Sequence, residues 1–334
     1  MVLVNSGENQ LGTSIVRYVK SEGESPAWGV LRGEDIFAID LELGTHRDVM
    51  RHYFSDRQAF DGAVSQESQP IASVILCSPV SSDVQLFCQG LNYADHRVEG
   101  GLNEDAKGEN LIFSKASSSI CGPNDDILRP KGCELLDYEI ELALVMKSDV
   151  LGAQVVEEAD LARLIGGLVL ANDVSSRDDQ FGATAMQWFK GKSYRSFCPM
   201  GPVLYLLDEE DLDQLEKLQL TLKLNGEIKQ SSTTDLLIHK PAATLTEISS
   251  FSDIRNGDCI LTGTPAGVQL SIDLKTGLSI LLNFKKDAKR RAKVIAAQLA
   301  QAPFLQPGDE LELTIASLDG AIDLGTQKNT IVEA

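Results

Sequence analysis

None of the six cysteines, at positions 77, 88, 121, 133, 198 and 259, belongs to a C-x-x-C pair. Neither a zinc cluster nor a disulfide framework is indicated by that scatter, and a reducing cytoplasm is the expected compartment. No segment reaches the roughly 18 apolar residues that cross a bilayer. Met1 to Gln10 carries no basic stretch followed by an apolar run, so neither a membrane span nor a secretory leader is expected. Positive charge is also short. Lys plus Arg number 30 against 49 Asp plus Glu, a net charge of −19, which argues against nucleic acid or an anionic membrane as the main partner. A local cluster of cations can still receive a small anion within such a field. Gln187-Trp188-Phe189-Lys190-Gly191-Lys192-Ser193 supplies two lysines around a glycine, but the upstream glycine spacing of a P-loop is absent.

What is present is a chain of 334 residues, enough for one sizeable domain and a smaller one. Its centre is Leu136-Asp137-Tyr138-Glu139-Ile140-Glu141-Leu142-Ala143-Leu144-Val145-Met146, which reads as a strand entering a core. Side chains alternate faces along a strand, so Glu139 and Glu141 project from one side and Tyr138, Ile140 and Leu142 from the other. Two carboxylates that close repel unless a cation lies between them or one stays protonated. A hard divalent ion such as Mg2+, Mn2+ or Ca2+ would suit them. The plain alternative is a solvated face of an antiparallel strand.

Residues 1–80 read as a small α+β unit, with short strands over 27–31 and 35–39 and a polar helical stretch whose His46 and His52 are expected at the surface. Val84-Gln85-Leu86-Phe87-Cys88 is an apolar strand leading to Gln89-Gly90-Leu91-Asn92-Tyr93-Ala94-Asp95-His96. His96 and Glu99, three apart, share one face of a helical turn and can hydrogen-bond, as an ordinary surface ion pair would too. The polar, glycine-containing segment 99–110 suits either a lid or a solvated loop. Leu168-Val169-Leu170-Ala171 is a short apolar strand, and Asp173 directly after it is the candidate third oxygen ligand. Arg177 and Gln180 fall four and seven residues later and face the same way if a helix follows. Residues 218–228 alternate cleanly and turn at Asn225-Gly226, a hairpin pattern. Thr262-Gly263-Thr264-Pro265-Ala266-Gly267 is a tight turn after a strand, with backbone N–H groups able to hold a carboxylate. Lys285 to Ala302 reads as an amphipathic helix with a basic start, expected to show solvent its charged face or to meet a partner subunit.

Taken in order, the blocks at 90–96, 137–143, 172–180, 191–193 and 262–268 resemble the fumarylacetoacetate hydrolase family from about residue 84 to the C-terminus. The resemblance implies an α+β, predominantly β fold: a rolled mixed β-sheet domain over 81–334, a smaller N-terminal α+β domain over 1–80, and a homodimer. It implies Mg2+ or Mn2+ held by Glu139, Glu141 and Asp173, with a catalytic dyad of His96 and Glu99. Lys192 resembles the family's catalytic lysine, while Arg177, Gln180, Thr264, Gly263 and Tyr93 resemble its substrate contacts. The chain departs from the family pattern at Ala116, at Tyr194-Arg195-Ser196 and in the basic helix, which looks like an insertion. The expected substrate is a small 2-oxo or 1,3-diketo acid such as an acylpyruvate. The expected reaction is C–C hydrolysis by water activated at His96, with oxaloacetate decarboxylation or 2-oxo acid isomerisation as the alternative and a non-catalytic ligand-binding protein as the third reading.

Overall fold

The computed structural model describes residues 12–99, 109–182, 185–271 and 287–334. It is sheet-dominated α+β, a rolled mixed β-structure. Among the described residues the larger sheet runs in the order Val64–Pro70, Asp35–Ile39, Ala27–Arg32, Thr13–Val19, Cys198–Leu206, Ile165–Asn172, Ile140–Met146, Cys259–Leu261, Leu86–Gly90 and Leu111–Lys115. A second sheet orders Glu227–Thr233, Leu218–Leu224, Glu310–Ser317, Asp323–Glu333 and Ile127–Arg129.

Ile140–Met146 and Ile165–Asn172 are buried along their whole length, because both faces of the central sheet are covered. Strands in that position read as continuous apolar runs. Tyr138, Ile140, Leu142 and Leu144 pack on one side with Leu220, Leu222, Leu313 and Ile315 of the second sheet. Ala143 and Val145 face the other side, where Val49, Met50 and Tyr53 of the helix His46–Ser55 close the core. The N-terminal strands continue the same sheet: Thr13, Ser14 and Ile15 pair with Leu206, Tyr205 and Leu204. Hydrogen bonding therefore crosses from 1–80 into 81–334 without a break. No helix among the described residues is long and apolar enough to cross a membrane.

The strand directions decide where chemistry can sit. Ile140–Met146 is antiparallel to Ile165–Asn172, with Ile140 opposite Asn172, and antiparallel to Cys259–Leu261, with Ala143 opposite Leu261. Cys259–Leu261 is in turn parallel to Leu86–Gly90, with Leu261 opposite Cys88. The start of one strand and the ends of three others thus meet at one end of the sheet, bringing residues 90–96, 139–141, 172–173 and 262–264 together.

His46 departs from its expected place at the surface. It is fully buried, its Nε2 2.9 Å from the Gly257 carbonyl and its Nδ1 accepting from the Ser81 N–H at 3.2 Å. This helix packs its first turn against the turn at Gly257 that leads into Cys259–Leu261, which a polar local sequence did not foretell. Burial, assisted by the neighbouring Arg47 charge, lowers the His46 pKa from 6.5 to about 4 even though the Gly257 carbonyl favours the charged form. The folded protein keeps His46 neutral where the unfolded chain protonates it, so stability falls as pH drops from the unfolded value toward about 4. The loss is fully developed below that, at about 3 kcal/mol. Urea unfolding at pH 7 and pH 5 should show a His46→Asn variant less pH-dependent than the parent by about 2 kcal/mol. An identical pH dependence in both would exclude this histidine as the responsible group.

Candidate active site

At that end of the sheet Glu139, Glu141 and Asp173 are all buried, and each offers an oxygen within 4.8 Å of the others. The local chain is shaped to allow it. The strand is interrupted at Tyr138 and Glu139, between Leu136–Asp137 and Ile140–Met146. Side-chain amides serve the backbone at the break: the Glu139 N–H donates to Asn172 Oδ1 at 3.0 Å and the Ile140 N–H to Gln230 Oε1 at 3.1 Å. The Asp173 N–H donates to the Glu139 carbonyl at 2.8 Å. Glu141 Oε2 accepts from the Gly263 N–H at 2.7 Å. Gly263 has φ +92°, and a Cβ there would stand 2.8 Å from the Asn92 Cβ, so position 263 needs glycine twice over.

Cations crowd the carboxylates unevenly. Lys192 Nζ donates to Asp173 Oδ2 at 2.6 Å, to Glu139 Oε2 at 2.9 Å and to Ser175 Oγ at 2.9 Å. Lys115, also buried, donates to Asp173 Oδ1 and to the Phe197 carbonyl at 2.9 Å. Arg177 holds Glu139 Oε1 and, through Nε at 2.9 Å, Asp137 Oδ2. Burial opposes charge on Glu139, but Lys192 and Arg177 outweigh it and bring its pKa down to about 2. Glu141 goes the other way. Burial, then the charges of Asp173 and Glu139, push its carboxyl well above the usual range, and its Oε1 is buried with no hydrogen-bond partner. A buried carboxylate oxygen left unserved among two other carboxylates is what a hard cation would complete. The residues therefore fit a divalent metal.

A cavity of about 200 Å3 opens against this cluster. His96, Glu139, Arg177, Gln180, Lys192 and Thr264 line its polar side. Phe113, Phe181, Trp188 and Leu270 line the apolar side, the Trp188 ring lying 5.1 Å from Phe113 and 6.1 Å from Phe181. Gln180 Oε1 accepts from Arg177 at 3.0 Å, which leaves the Gln180 amide N–H groups as its donors toward a ligand. Thr264 Oγ1 donates to the Ile140 carbonyl at 2.9 Å and accepts from Gln230 Nε2 at 2.8 Å.

The described expected residues separate into three groups. Those on the polar side share the cavity. Glu141, Asp173 and Gly263 stand behind it, Gly263 touching the carboxylate cluster through its N–H. Tyr93, expected at the substrate, is fully buried outside the lining, and its hydroxyl has no hydrogen-bond partner. Glu99 ends the helix Ala94–Glu99, and its side chain lies outside the described residues, as do 100–108 of the expected lid. Lys115 and Asp137 belong to the site and were missed. Lys115 ends an unremarkable strand and carries no local signal. Asp137 did carry one, since 137, 139 and 141 share one face by alternation. Its carboxylate accepts from Arg177, from the Tyr138 N–H and from the Gln269 and Leu270 N–H groups.

Residues 85–332 match the fumarylacetoacetate (FAA) hydrolase C-terminal family model. The chain belongs to that family. It is 37% identical over 199 residues to the mitochondrial oxaloacetate tautomerase of Bos taurus, a match covering 60% of this chain and 61% of that protein's length. It is similar to the solved structure of a fumarylacetoacetate hydrolase from Exiguobacterium antarcticum, with TM-score 0.73 and 25% identity over 96% of this chain and all of that one. The 2-hydroxyhepta-2,4-diene-1,7-dioate isomerase of Mycobacterium marinum aligns with TM-score 0.65 and 25% identity, covering 96% of this chain and 98% of that one. Family membership agrees with the order of the five blocks in the sequence, and the acidic cluster lies inside the matched region.

Because Glu141 is the carboxylate with an unserved oxygen, its loss should act in opposite directions with and without metal. Glu141→Gln should raise the melting temperature of the metal-free protein, by roughly 1–2 °C per kcal/mol gained. The same change should weaken Mn2+ binding at least about tenfold in calorimetry. Unchanged Mn2+ affinity would remove Glu141 from the ligand set.

Proposed function

We propose that this chain is a divalent-metal enzyme of enolate chemistry that interconverts the keto and enol forms of a small 2-oxo acid, a 2-oxo dicarboxylic acid such as oxaloacetate foremost. The observation that carries the reading is the juxtaposition of His96, Arg177, Gln180 and Lys192 on one small cavity against the acidic cluster. Glu139, Glu141 and Asp173 would hold the ion. An all-oxygen donor set of this kind suits Mg2+ or Mn2+, with Ca2+ a poorer match for a catalytic role. A bound divalent ion supplies Lewis acidity, which favours the enolate form of a 2-oxo acid.

The protein's own groups supply the rest. Arg177, aimed by Asp137 and Glu139, presents its guanidinium to a substrate carboxylate. Gln180 donates to a substrate oxygen. His96 takes the proton from C3 and returns it there in the reverse direction, the task for which imidazole suits neutral pH. Lys192, held as an ammonium by Asp173 and Glu139 despite its burial, opposes negative charge as it builds on the 2-oxo oxygen. The apolar wall keeps bulk water from the carbanion. Tautomerisation moves one proton from carbon to oxygen and needs no attacking water. Hydrolysis needs in addition a water activated by the His96–Glu99 pair.

The tautomerase name of the bovine relative and the isomerase name of the Mycobacterium marinum structure support proton transfer over the hydrolysis expected from the sequence. C–C hydrolysis of an acylpyruvate remains the second reading, favoured by the Exiguobacterium antarcticum neighbour. Product analysis separates them. With Mn2+ present, oxaloacetate should lose its enol absorbance faster than in buffer while releasing neither CO2 nor pyruvate. Acetylpyruvate split into pyruvate and acetate would overturn the reading in favour of a hydrolase, and CO2 release in favour of a decarboxylase. His96→Ala should lower the tautomerisation rate about 100-fold or more and leave Mn2+ affinity intact. A fully active variant would remove His96 from the proton-transfer role.

A further inference from the structure

We infer that the helix Asp287–Leu299 is a brace that sets the apolar wall of the cavity and thereby selects the tail a 2-oxo acid can carry. The inference rests on the cavity being the substrate site. The helix was expected to show its basic residues to solvent or to a partner. Lys289 and Lys293 are exposed, but Arg290, Val294 and Gln298 are buried at four-residue spacing, one inward face.

The helix grips two separate parts of the cavity wall. Arg291 NH1 donates to Asp179 Oδ1 at 2.9 Å and its NH2 to Asp178 Oδ2 at 3.1 Å, while Arg290 Nε donates to the Phe181 carbonyl at 3.0 Å. All three acceptors lie on the short helix Arg177–Gly182. Val294 packs in one apolar cluster with Phe181, Leu135 and Phe304, against which Trp188 and Leu270 also lie. The approach is tight, since a Cβ at Gly182 would stand 3.0 Å from Arg291 Cγ. Farther along, Gln298 and Ser271 exchange hydrogen bonds, Nε2 to the Ser271 carbonyl at 2.6 Å and the Ser271 N–H to Oε1 at 3.1 Å. Ser271 follows Leu270 directly. Phe181 and Leu270, both on the apolar wall, are thus held from behind by one helix.

The polar side has its own supports. Arg177 is fixed by Asp137 and Glu139, and Lys192 by Glu139, Asp173 and Ser175. None of these supports belongs to the brace, and they fix Arg177 through its guanidinium although it begins the helix that the brace grips. Loosening the brace should therefore change how a tail is received while leaving the head group and the metal alone.

The test compares Arg291→Ala and the milder Gln298→Ala with Lys289→Ala as an exposed control on the same helix. The probes, bound to the Mn2+-loaded protein and followed by calorimetry, are oxalate, which is all head group, and 2-oxohexanoate, which adds an apolar tail. The brace variants should lose about fivefold or more in 2-oxohexanoate affinity and stay within about twofold for oxalate and Mn2+. Arg291→Lys should recover part of the loss. In the metal-free protein, hydrogen exchange should quicken at 177–182 and 269–271 but not along Ile140–Met146. Unchanged 2-oxohexanoate binding, or equal losses for both probes, would overturn the inference. If neither probe binds the unmutated protein, the substrate reading fails. Unchanged exchange at 177–182 and 269–271 would then overturn the brace on its own account.

Discussion

Three carboxylates share one buried space, and a single lysine bridges two of them. Lys192 sits between Glu139 and Asp173 with Ser175 as its third acceptor, while Glu141 shares that space with only the Gly263 N–H to serve its carboxylate. Charges removed from water persist only when paired and hydrogen-bonded. The surrounding structure follows from that demand: Asn172 satisfies the backbone where the strand breaks, Gly263 lends an N–H to Glu141, and Lys115 and Arg177 divide the outer oxygens. Buried ion clusters are weak sources of stability. Their retention here makes sense as preparation of a site, with Glu141 Oε1 left for a cation that the side chains do not supply.

The cavity beside this cluster has two sides of different chemistry and different mechanical support. Its polar side is tied through Asp137 to the short strand Leu136–Asp137 and through Glu141 to the central strand Ile140–Met146. Its apolar side is carried by the helix Arg177–Gly182, by Trp188 and by the turn ending at Leu270, all resting on the inward face of Asp287–Leu299. A tautomerase, an isomerase and a hydrolase by name share this fold with the chain. A common enolate-stabilising head site with a separately built tail wall is a physical way for one fold to serve such different outcomes.

Much of the carboxylate cluster was legible from local rules. Alternation places Glu139 and Glu141 on one side of a strand, and an acid directly after a buried strand points to Asp173. The apolar runs at 140–146 and 165–172 announced the sheet core, and Asn225-Gly226 announced the hairpin. Lys115 was not legible, because nothing in Leu-Ile-Phe-Ser-Lys says that the lysine turns inward to Asp173. His46 misled for a related reason. A polar helix start reads as surface until the turn carrying Gly257 is packed over it. Arg290 and Arg291 looked solvent-facing because a cluster of basic residues commonly is, and the acceptors that draw them inward lie more than a hundred residues earlier in the chain.

The sequence by itself determined which side chains share a face, where the chain turns, and the family to which the ordered motifs belong. These properties follow from periods of two and 3.6 residues and from glycine's backbone freedom, all of which act over a few residues. Tertiary structure alone decided that four strand ends meet at one end of the sheet, that Lys115 and Lys192 reach the same aspartate, and that a basic helix props an apolar wall. Those outcomes depend on strand direction and on contacts across the whole chain, where the cost of burying a charge is settled by partners that no local pattern names.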